Sequence, residues 1–202
     1  MKHLMWDVDG TLILTGGAGQ AAMIQVIKDY YFLDAFAFQQ SLAGRTDSDI
    51  IKGAVTFIRG HCRLAEAASL LIRYHMALPK FLPQFQGRIM KNVEKTLKYF
   101  QRPESKYENC LLTGNTRTGA KLKLAHYKLD QYFNFDHSAF GELAEDRKEL
   151  ARIALQRFYI ADTNVTADDL IFIGDTINDV VCANAIGARC LIVLDGSSKK
   201  RE

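Results

Sequence analysis

The chain has 202 residues, of which 48% are hydrophobic and 24% are charged, and its formal net charge is +3. This length accommodates one α/β domain with an insertion or two small domains, and the composition is that of an ordinary globular protein. The small net charge gives no argument for binding nucleic acid, and no apolar run approaches the ~20 residues of a membrane-spanning helix. We therefore expect neither nucleic acid nor a membrane as a partner.

Cysteine usage indicates a reducing compartment. The four cysteines form no C-x-x-C pair: Cys62, Cys110, Cys182 and Cys190. Three of them lie in apolar runs, which is typical of buried free thiols. The first apolar stretch is interrupted by Asp7 and Asp9, so no signal peptide is visible. We expect a cytoplasmic protein.

The first predicted element is a short apolar strand that ends at Trp6 and is followed by D-V-D-G-T at residues 7–11. Asp7 and Asp9 are separated by one residue and lie roughly on the same side of an extended backbone. Two adjacent buried carboxylates are costly unless a cation or a shared proton offsets their repulsion. A solvated turn explains Asp9 and the glycine after it, but leaves Asp7 unexplained. This stretch alone leaves both interpretations open.

A long helical region comes next. The spacing of apolar residues predicts helices over residues 20–31, 46–60, 64–78 and 89–100. Thr46 and Asp49 form a start that resembles a capping box, Gly60 is a typical stop, and Pro79 is expected to end the third helix. Roughly 70 residues of mostly helical pattern therefore separate the first strand from the second.

From residue 109 onward the pattern alternates between strand and helix. Strands are predicted over residues 109–113, 133–137, 170–173 and 190–194, and helices over residues 116–127, 146–158 and 180–186. This alternation is typical of a parallel sheet with helices on both faces. The sequence therefore predicts an α/β fold.

Polar residues of a particular kind follow these strands. They are Asp7 and Asp9 after the first strand, Thr113, Gly114 and Asn115 at the end of the second, Arg147 and Lys148 after the third, and Gly174, Asp175 and Asp179 after the fourth. Ligands of an open parallel sheet bind beyond the carboxyl ends of its strands, so these residues can converge on one site. Each group alone has an ordinary explanation as a turn, a solvated helix face or a helix cap, but the whole set in this order is improbable as coincidence.

The chemistry that fits this set is phosphoryl transfer. Asp7, Asp9 and Asp175 offer hard oxygen ligands that suit Mg²⁺, which would relieve carboxylate repulsion and neutralise a substrate phosphate. One carboxylate can attack phosphorus, and a second can protonate the leaving oxygen.

The remaining residues offer donors for a phosphate group. The hydroxyl of Thr113 and the backbone N–H groups near Gly114 form a natural phosphate cradle at a helix start. Arg147 or Lys148 offers the positive charge that a transferring phosphoryl group needs.

With these motifs identified, the chain resembles the haloacid dehalogenase superfamily, in its phosphoglycolate-phosphatase-like group. The family's D-x-D-G-T motif matches residues 7–11, its apolar strand ending in Thr or Ser matches at Thr113, and its G-D-x-x-x-D motif matches residues 174–179. The third motif departs from the common pattern, because many members place a Lys before Pro where this chain has D-R-K-E-L. We assign the basic role to Arg147, with Lys148 as the alternative.

The resemblance implies specific roles for these residues. Asp7 would be the nucleophile and Asp9 the general acid and base. Mg²⁺ would be held by Asp7, the backbone carbonyl of Asp9 and Asp175, with Asp179 in support. The residues expected to bind phosphate are Thr113, Gly114, Asn115 and Arg147. Family members that cleave carbon–halogen bonds need no Mg²⁺ and lack the second Asp, so we do not expect dehalogenation.

The resemblance also implies a Rossmann-like parallel-sheet core with an inserted α-helical cap. Residues 1–15 and 86–202 would form the core, and residues 16–85 would form the cap that closes over the site. Arg45 is the cap residue expected to face the substrate. The alternative is ordinary helix capping by Thr46 with Arg45 on the surface.

We therefore expect a Mg²⁺-dependent phosphatase that hydrolyses a small phosphomonoester, similar to phosphoglycolate or a sugar phosphate, through an aspartyl-phosphate. The alternatives are a phosphomutase similar to β-phosphoglucomutase and a non-catalytic binding protein on a degenerate core, against which the intact acidic set argues. The expected partner is a small phosphorylated metabolite, and the expected oligomeric state is a monomer or homodimer.

Overall fold

The computed structural model describes residues 1–42 and 44–195. The strands are β1 (Lys2–Trp6), β2 (Ile13–Leu14), β3 (Arg88–Ile89), β4 (Tyr107–Thr113), β5 (Ala139–Phe140), β6 (Leu170–Gly174) and β7 (Arg189–Ile192). The α-helices are α1 (Ala18–Tyr31), α2 (Asp47–Arg59), α3 (Leu64–Phe81), α4 (Val93–Phe100), α5 (Arg117–His126), α6 (Arg147–Ala161) and α7 (Ile177–Asn184). Within the described part of the chain, none of the helices combines the length and apolar character required to cross a bilayer.

Five parallel strands form the main sheet in the order β5-β4-β1-β6-β7. The chain leaves β1 for β4 and β5 on one side, and then returns to β6 and β7 on the other side. The strand order therefore reverses at β1, and this switch is where open α/β sheets bind ligands. The predicted α/β class with a parallel sheet is confirmed.

The central strand β1 is apolar because helices cover both of its faces. Leu4 and Trp6 pack into a core with residues of α4 and α5, including Leu97 and Leu124. Met5 points the other way, into a second core that includes residues of α6 and α7. The Trp6 indole N–H donates to Asn109 Oδ1 at 3.0 Å, which satisfies its one polar atom. Both cores fix the end of β1, and hence Asp7, in place.

Helices α1, α2 and α3 pack on one another and reach α5. The chain enters and leaves this helical layer through an antiparallel ribbon, in which Ile13 pairs with Ile89. The caps of α2 are as predicted: the Thr46 hydroxyl accepts the N–H of Asp49 at 3.1 Å, and Gly60 ends the helix in the left-handed conformation.

Pro79 does not end the third helix, contrary to the prediction. Helix α3 continues to Phe81 and passes into a 3₁₀ turn at Leu82–Gln84. Tyr74, Leu78 and Leu82 are spaced four residues apart, and each is at most 1% exposed. Burial of this stripe outweighs the ~3 kcal/mol that a proline costs in a helix interior.

The predicted helix over residues 89–100 begins later. Ile89 belongs to the ribbon, and the N–H of Met90 donates to the carbonyl of Leu12 at 2.9 Å. Helix α4 starts only at Val93, after Asn92 in the left-handed conformation. The apolar spacing alone predicted helix from residue 89. The backbone hydrogen bonds of the ribbon hold the first residues of this segment in an extended conformation instead.

The predicted strand over residues 133–137 is wrong, because the strand lies at Ala139–Phe140. Asn134 Oδ1 accepts the N–H groups of Asp136 and His137 at 3.0 and 3.3 Å. Asparagine side chains stabilise turns by such bonds, and this local chemistry outcompetes the weak strand pattern.

Glu108 lies near the start of β4, at the end of the sheet opposite the carboxyl ends of the strands. Its side chain connects β1, β4 and the loop before β5. Glu108 Oε2 lies 2.9 Å from Nδ1 of both His3 and His137, and Oε1 accepts from Asn134 at 2.7 Å. Burial alone would raise the pKa of Glu108, but these hydrogen bonds outweigh it and lower the pKa from 4.5 to about 2.

Replacement of Glu108 by Gln should lower the free energy of unfolding by about 1–2 kcal/mol at pH 7, as expected for charge-assisted hydrogen bonds. Because the pKa is lowered on folding, this contribution is present above pH 4.5 and disappears as the pH falls toward 2. Urea unfolding at several pH values measures the difference, with the exposed Glu104→Gln as control. A difference that does not change with pH contradicts the assignment.

Candidate active site

Three buried carboxylates meet at the carboxyl ends of β1 and β6. Oxygens of Asp7, Asp175 and Asp179 lie within 4.8 Å of one another, and all three residues are buried. Asp7 follows β1, where its N–H donates to the Ile173 carbonyl of β6 at 2.8 Å. We call these three side chains the acidic cluster.

One guanidinium faces the acidic cluster. Arg147, at the start of α6, lies with Nη2 2.6 Å from Asp179 Oδ1 and with Nη1 3.5 Å from Asp7 Oδ2. It is 7% exposed. Lys148 is exposed, and its N–H donates to the capping carboxylate of Asp146 at 2.9 Å. Of the two candidates for the basic role, the fold therefore brings Arg147 to the cluster and leaves Lys148 on the surface.

The positive charge of Arg147 does not balance the negative charges of the carboxylates in the acidic cluster. Burial raises the pKa of Asp7 to about 7, and the charge of Arg147 opposes this rise only in part. Burial and the charge of Asp179 raise the pKa of Asp175 to about 6. A set of hard oxygen donors with unbalanced negative charge fits a divalent cation such as Mg²⁺. Asp7 and Asp175 would be its side-chain ligands, and the Asp9 carbonyl stays a predicted one.

Asp179 has most of its hydrogen-bonding capacity occupied by protein groups. Its Oδ1 accepts from Arg147, and its Oδ2 accepts the N–H and hydroxyl of Thr176 at 3.0 and 2.8 Å. These bonds form the capping box at the start of α7. Asp179 is therefore arranged to orient Arg147 and the β6–α7 loop, and its supporting role at a metal stays a prediction.

Gly10 allows Asp175 to approach the end of β1. Its φ is +87°, and a Cβ atom at this position would lie 2.3 Å from an oxygen of Asp175. The hydroxyl of Thr11, the next residue, donates to the other Asp175 oxygen at 3.3 Å. Gly10 and Thr11 of the D-x-D-G-T motif thus position the carboxylate of Asp175 from the G-D-x-x-x-D motif.

Asp9 is held apart from the acidic cluster by two donors. Lys123 Nζ lies 2.6 Å from Asp9 Oδ2, and the Asn115 amide donates to the same oxygen at 2.8 Å. Lys123 also donates to Asn115 Oδ1 at 2.6 Å. The Asp9 side chain remains 42% exposed. The two carboxylates of the first motif therefore have different surroundings, which is how paired carboxylates acquire different roles.

The Thr113-Gly114-Asn115 segment at the end of β4 lies between the acidic cluster and Asp9. Thr113 is fully buried, and its hydroxyl accepts from the Asn115 side chain at 2.9 Å and helps to lower the pKa of Asp7 against the effect of burial. The carbonyl of Gly114 accepts the N–H of Asp47, the first residue of α2, at 2.8 Å. A Cβ on Gly114 would lie 2.3 Å from the carbonyl oxygen of Arg45, so only glycine permits this approach of the helical layer.

Arg45 precedes α2, and its side chain is turned mainly toward that helix. Its Nε donates to Asp49 Oδ2 at 2.6 Å, and its Nη1 lies 3.3 Å from Gln40 Oε1. It still lines the cavity beside Gly44 and Asp47. A substrate contact through Arg45 stays a prediction, and in this arrangement Asp49 competes for its guanidinium.

Asp7, Asp9, Thr113 and Arg147 line one cavity of about 750 Å³ between the sheet and helices α1 to α3. Its floor includes Asp7, Asp9 and Asp175, and its walls include Gln20, Met23 and Ile50 from the helical layer. The volume suits a small metabolite.

Three buried polar residues of this cavity escaped the sequence analysis. Lys123 lies on the buried face of α5 beside Ala120 and Leu124. The sequence could have indicated it, because a lysine among apolar residues at helical spacing is unusual. Asp47 and Tyr74 had no such signal, because Asp47 follows a helix cap and Tyr74 sits at a core position of α3.

Comparison by sequence identifies the family. A family profile described as haloacid dehalogenase-like hydrolase matches residues 1–187. The chain therefore belongs to the haloacid dehalogenase-like hydrolases, as its motifs indicated. Among curated proteins, none matches the sequence significantly.

Comparison by structure finds the same fold in solved proteins. CbbY from Rhodobacter sphaeroides in complex with phosphate matches with a TM-score of 0.73 at 13% identity, over 99% of this chain and 90% of that one. A variant of CbbY in complex with xylulose-(1,5)bisphosphate matches at 0.72 and 14%, over 95% and 85%. A predicted phosphoglycolate phosphatase from Haemophilus somnus 129pt matches at 0.68 and 16%, over 97% and 86%. At such identities the comparison establishes the fold.

Lys123 should contribute strongly to stability, because it balances two carboxylates. Burial alone would lower the pKa of Lys123, but Asp9 and Asp47 outweigh it and raise the pKa above its usual range. Lys123→Met leaves both carboxylates without this charge and should lower the free energy of unfolding by about 3 kcal/mol.

The exposed Lys121 of the same helix provides the matched control. Lys121→Met should change the free energy of unfolding by no more than about 0.5 kcal/mol. Urea unfolding of both variants makes the comparison, and equal effects would show that Lys123 has no special electrostatic role.

Proposed function

We propose that this protein is a Mg²⁺-dependent phosphatase that hydrolyses a small phosphomonoester through an aspartyl-phosphate. The observation that carries the proposal is the separation of Asp7 and Asp9. Asp7 is buried beside Arg147 and Thr113, whereas Asp9 is partly exposed and held by Lys123. Such a pair suits one carboxylate for attack and the other for proton transfer.

The first step would form a bond between an Asp7 oxygen and phosphorus and break the ester P–O bond. Arg147 lies beside Asp7 and would stabilise negative charge on the transferring group. Asp9 would donate a proton to the leaving oxygen, and Lys123 and Asn115 fix its carboxylate for that task. Mg²⁺, bound by Asp7 and Asp175, would offset carboxylate repulsion and neutralise phosphate oxygens.

The second step would hydrolyse the aspartyl-phosphate. Asp9, now ionised, would accept a proton from water as the water attacks phosphorus, which regenerates Asp7 and releases phosphate. Thr113 would bind the phosphoryl group through its hydroxyl, together with the backbone N–H of Gly114. The N–H groups of Thr116 and Arg117, at the start of α5, donate to Asp47 and Glu142 instead, so the predicted cradle at this helix start does not include them. The Asn115 side chain is occupied by Asp9, Thr113 and Lys123, so its contribution would be to orient Asp9.

Residues 16–85 would act as a cap over this reaction. Contacts between Asp47 and the segment at residues 114–116 hold the helical layer against the second motif. Closure of this kind excludes water from the reacting groups. The ribbon of β2 and β3 would be the hinge region through which the cap moves.

Asp7→Asn should reduce phosphate release from a broad panel of phosphomonoesters by at least ~10³-fold, because the amide cannot serve as the nucleophile. The exposed Asp34→Asn is the control and should retain activity. Activity should also disappear with a chelator and return with Mg²⁺. Full activity of Asp7→Asn would refute the nucleophile assignment, and isomerised hexose phosphate without free phosphate would indicate a phosphomutase.

Arg147→Met should lower kcat/KM by about 10²-fold or more, because it removes the guanidinium that faces the acidic cluster. Lys148→Met should change kcat/KM less than twofold, since Lys148 is exposed. Initial rates of phosphate release measure both variants. The opposite ranking would assign the basic role to Lys148.

A further inference from the structure

We propose that Tyr74, Lys123 and Asp47 form a subsite for the leaving group of the substrate, and that this leaving group is a neutral polyhydroxylated chain, such as a polyol or a sugar. The inference rests on the proposed phosphatase function and names its substrate class. All three residues line the cavity that contains Asp7 and Asp9.

Tyr74 presents a hydroxyl group that the protein leaves unused. The residue is 0% exposed, and among residues 1–42 and 44–195 its hydroxyl has no hydrogen-bond partner. Burial raises the pKa of Tyr74, so the hydroxyl stays protonated and can donate. Buried hydroxyl groups in native proteins nearly always have a partner, and a ligand oxygen in the cavity would supply one.

Gly19 of α1 leaves space in front of this hydroxyl. A Cβ atom at this position would lie 3.4 Å from the Tyr74 hydroxyl and 3.5 Å from Lys123 Nζ. Both donors therefore border the same small space, which a methyl group would fill. A ligand oxygen close to this point is within reach of both.

The subsite also contains an acceptor. Asp47 Oδ2 accepts the N–H of Thr116 at 2.9 Å, which leaves further lone pairs on its carboxylate. Burial raises the pKa of Asp47 to about 6, with Lys123 opposing the rise, so the carboxylate is mainly ionised at neutral pH. A hydroxyl group both donates and accepts, and so it can satisfy Asp47 as well as Tyr74 and Lys123.

The local charge disfavours an acidic leaving group. Asp47 and Lys123 carry opposite charges, so this pair provides no excess positive charge for an acidic leaving group. A carboxylate accepts but cannot donate, so it cannot satisfy Asp47, whose like charge it would meet. A neutral chain of hydroxyl groups matches both the charge and the donor–acceptor pattern.

Two series of three phosphate esters, which differ only in the leaving group, test this inference. Glycerol 3-phosphate is compared with propyl phosphate and with 3-phosphoglycerate, and sorbitol 6-phosphate with hexyl phosphate and with 6-phosphogluconate. In at least one series the wild-type kcat/KM should be highest for the polyol ester, by at least tenfold. The inference is overturned if the polyol ester is the best substrate in neither series.

Tyr74→Phe separates recognition from folding. It removes only the unpartnered hydroxyl, so the melting temperature should not fall. The kcat/KM for the preferred polyol ester should drop about tenfold, the loss expected for one hydrogen bond, while that for its alkyl counterpart changes less than twofold. Equal losses on both esters would show that Tyr74 does not contact the leaving group.

Gly19→Ala is the complementary variant. Alanine favours helix over glycine, so the variant should be at least as stable as the wild type. The added methyl group would fill the space between the two donors and should lower kcat/KM for the polyol ester at least fivefold, with less than twofold effect on the alkyl ester. Unchanged discrimination would place the leaving group elsewhere.

Binding measurements keep this test independent of the proposed catalysis. Calorimetry on Asp7→Asn, alone and combined with Tyr74→Phe, gives affinities for the same esters without turnover. If no ester is hydrolysed by the wild type, the phosphatase proposal fails, but polyol selectivity that is lost with Tyr74→Phe would still support the subsite. Equal affinities for polyol and alkyl esters would overturn the subsite.

Discussion

The structure depends on an unbalanced group of charges at the end of β1. Asp7, Asp175 and Asp179 bring three carboxylates to a point that Arg147 alone balances among the described side chains. Burial of such a group is costly unless a cation or a shared proton offsets the repulsion, because the desolvation of each charge costs several kcal/mol. The parallel sheet supplies the required convergence, since β1 and β6 are neighbours whose carboxyl ends meet where the strand order reverses.

A second charged group sits at the other end of the same cavity. Lys123 holds Asp9 from one side and lies near Asp47 of the helical layer, so its ammonium connects α5 to both. The cavity is therefore divided into an end rich in carboxylates that suits a cation and a phosphate, and an end with mixed donors and acceptors. This division gives the two Asp residues of the first motif their different environments and explains why chemistry and recognition can be assigned to separate residues.

Much of the fold followed from local patterns. Caps such as Thr46 and Gly60 and the alternation after residue 109 are local signals, and they predicted most of the elements to within a few residues. The strand predicted over residues 133–137 failed because of a local turn at Asn134, and two other failures occurred where distant contacts outweighed local preference. Pro79 stays in α3 because the stripe through Leu78 and Leu82 is buried, and Ile89 joins a ribbon because Ile13 offers it a partner.

The sequence by itself determined the family and the residues of the motifs, because the acidic and polar residues at the strand ends have a fixed order and spacing along the chain. Only the tertiary structure decided which further side chains join them. The direction in which α6 begins places Arg147 at the acidic cluster and leaves Lys148 on the surface. Lys123, Asp47 and Tyr74 come from three helices, and their contacts depend on how these helices pack. No spacing along the chain encodes such contacts between distant elements, so recognition of the leaving group could be inferred only from the assembled cavity.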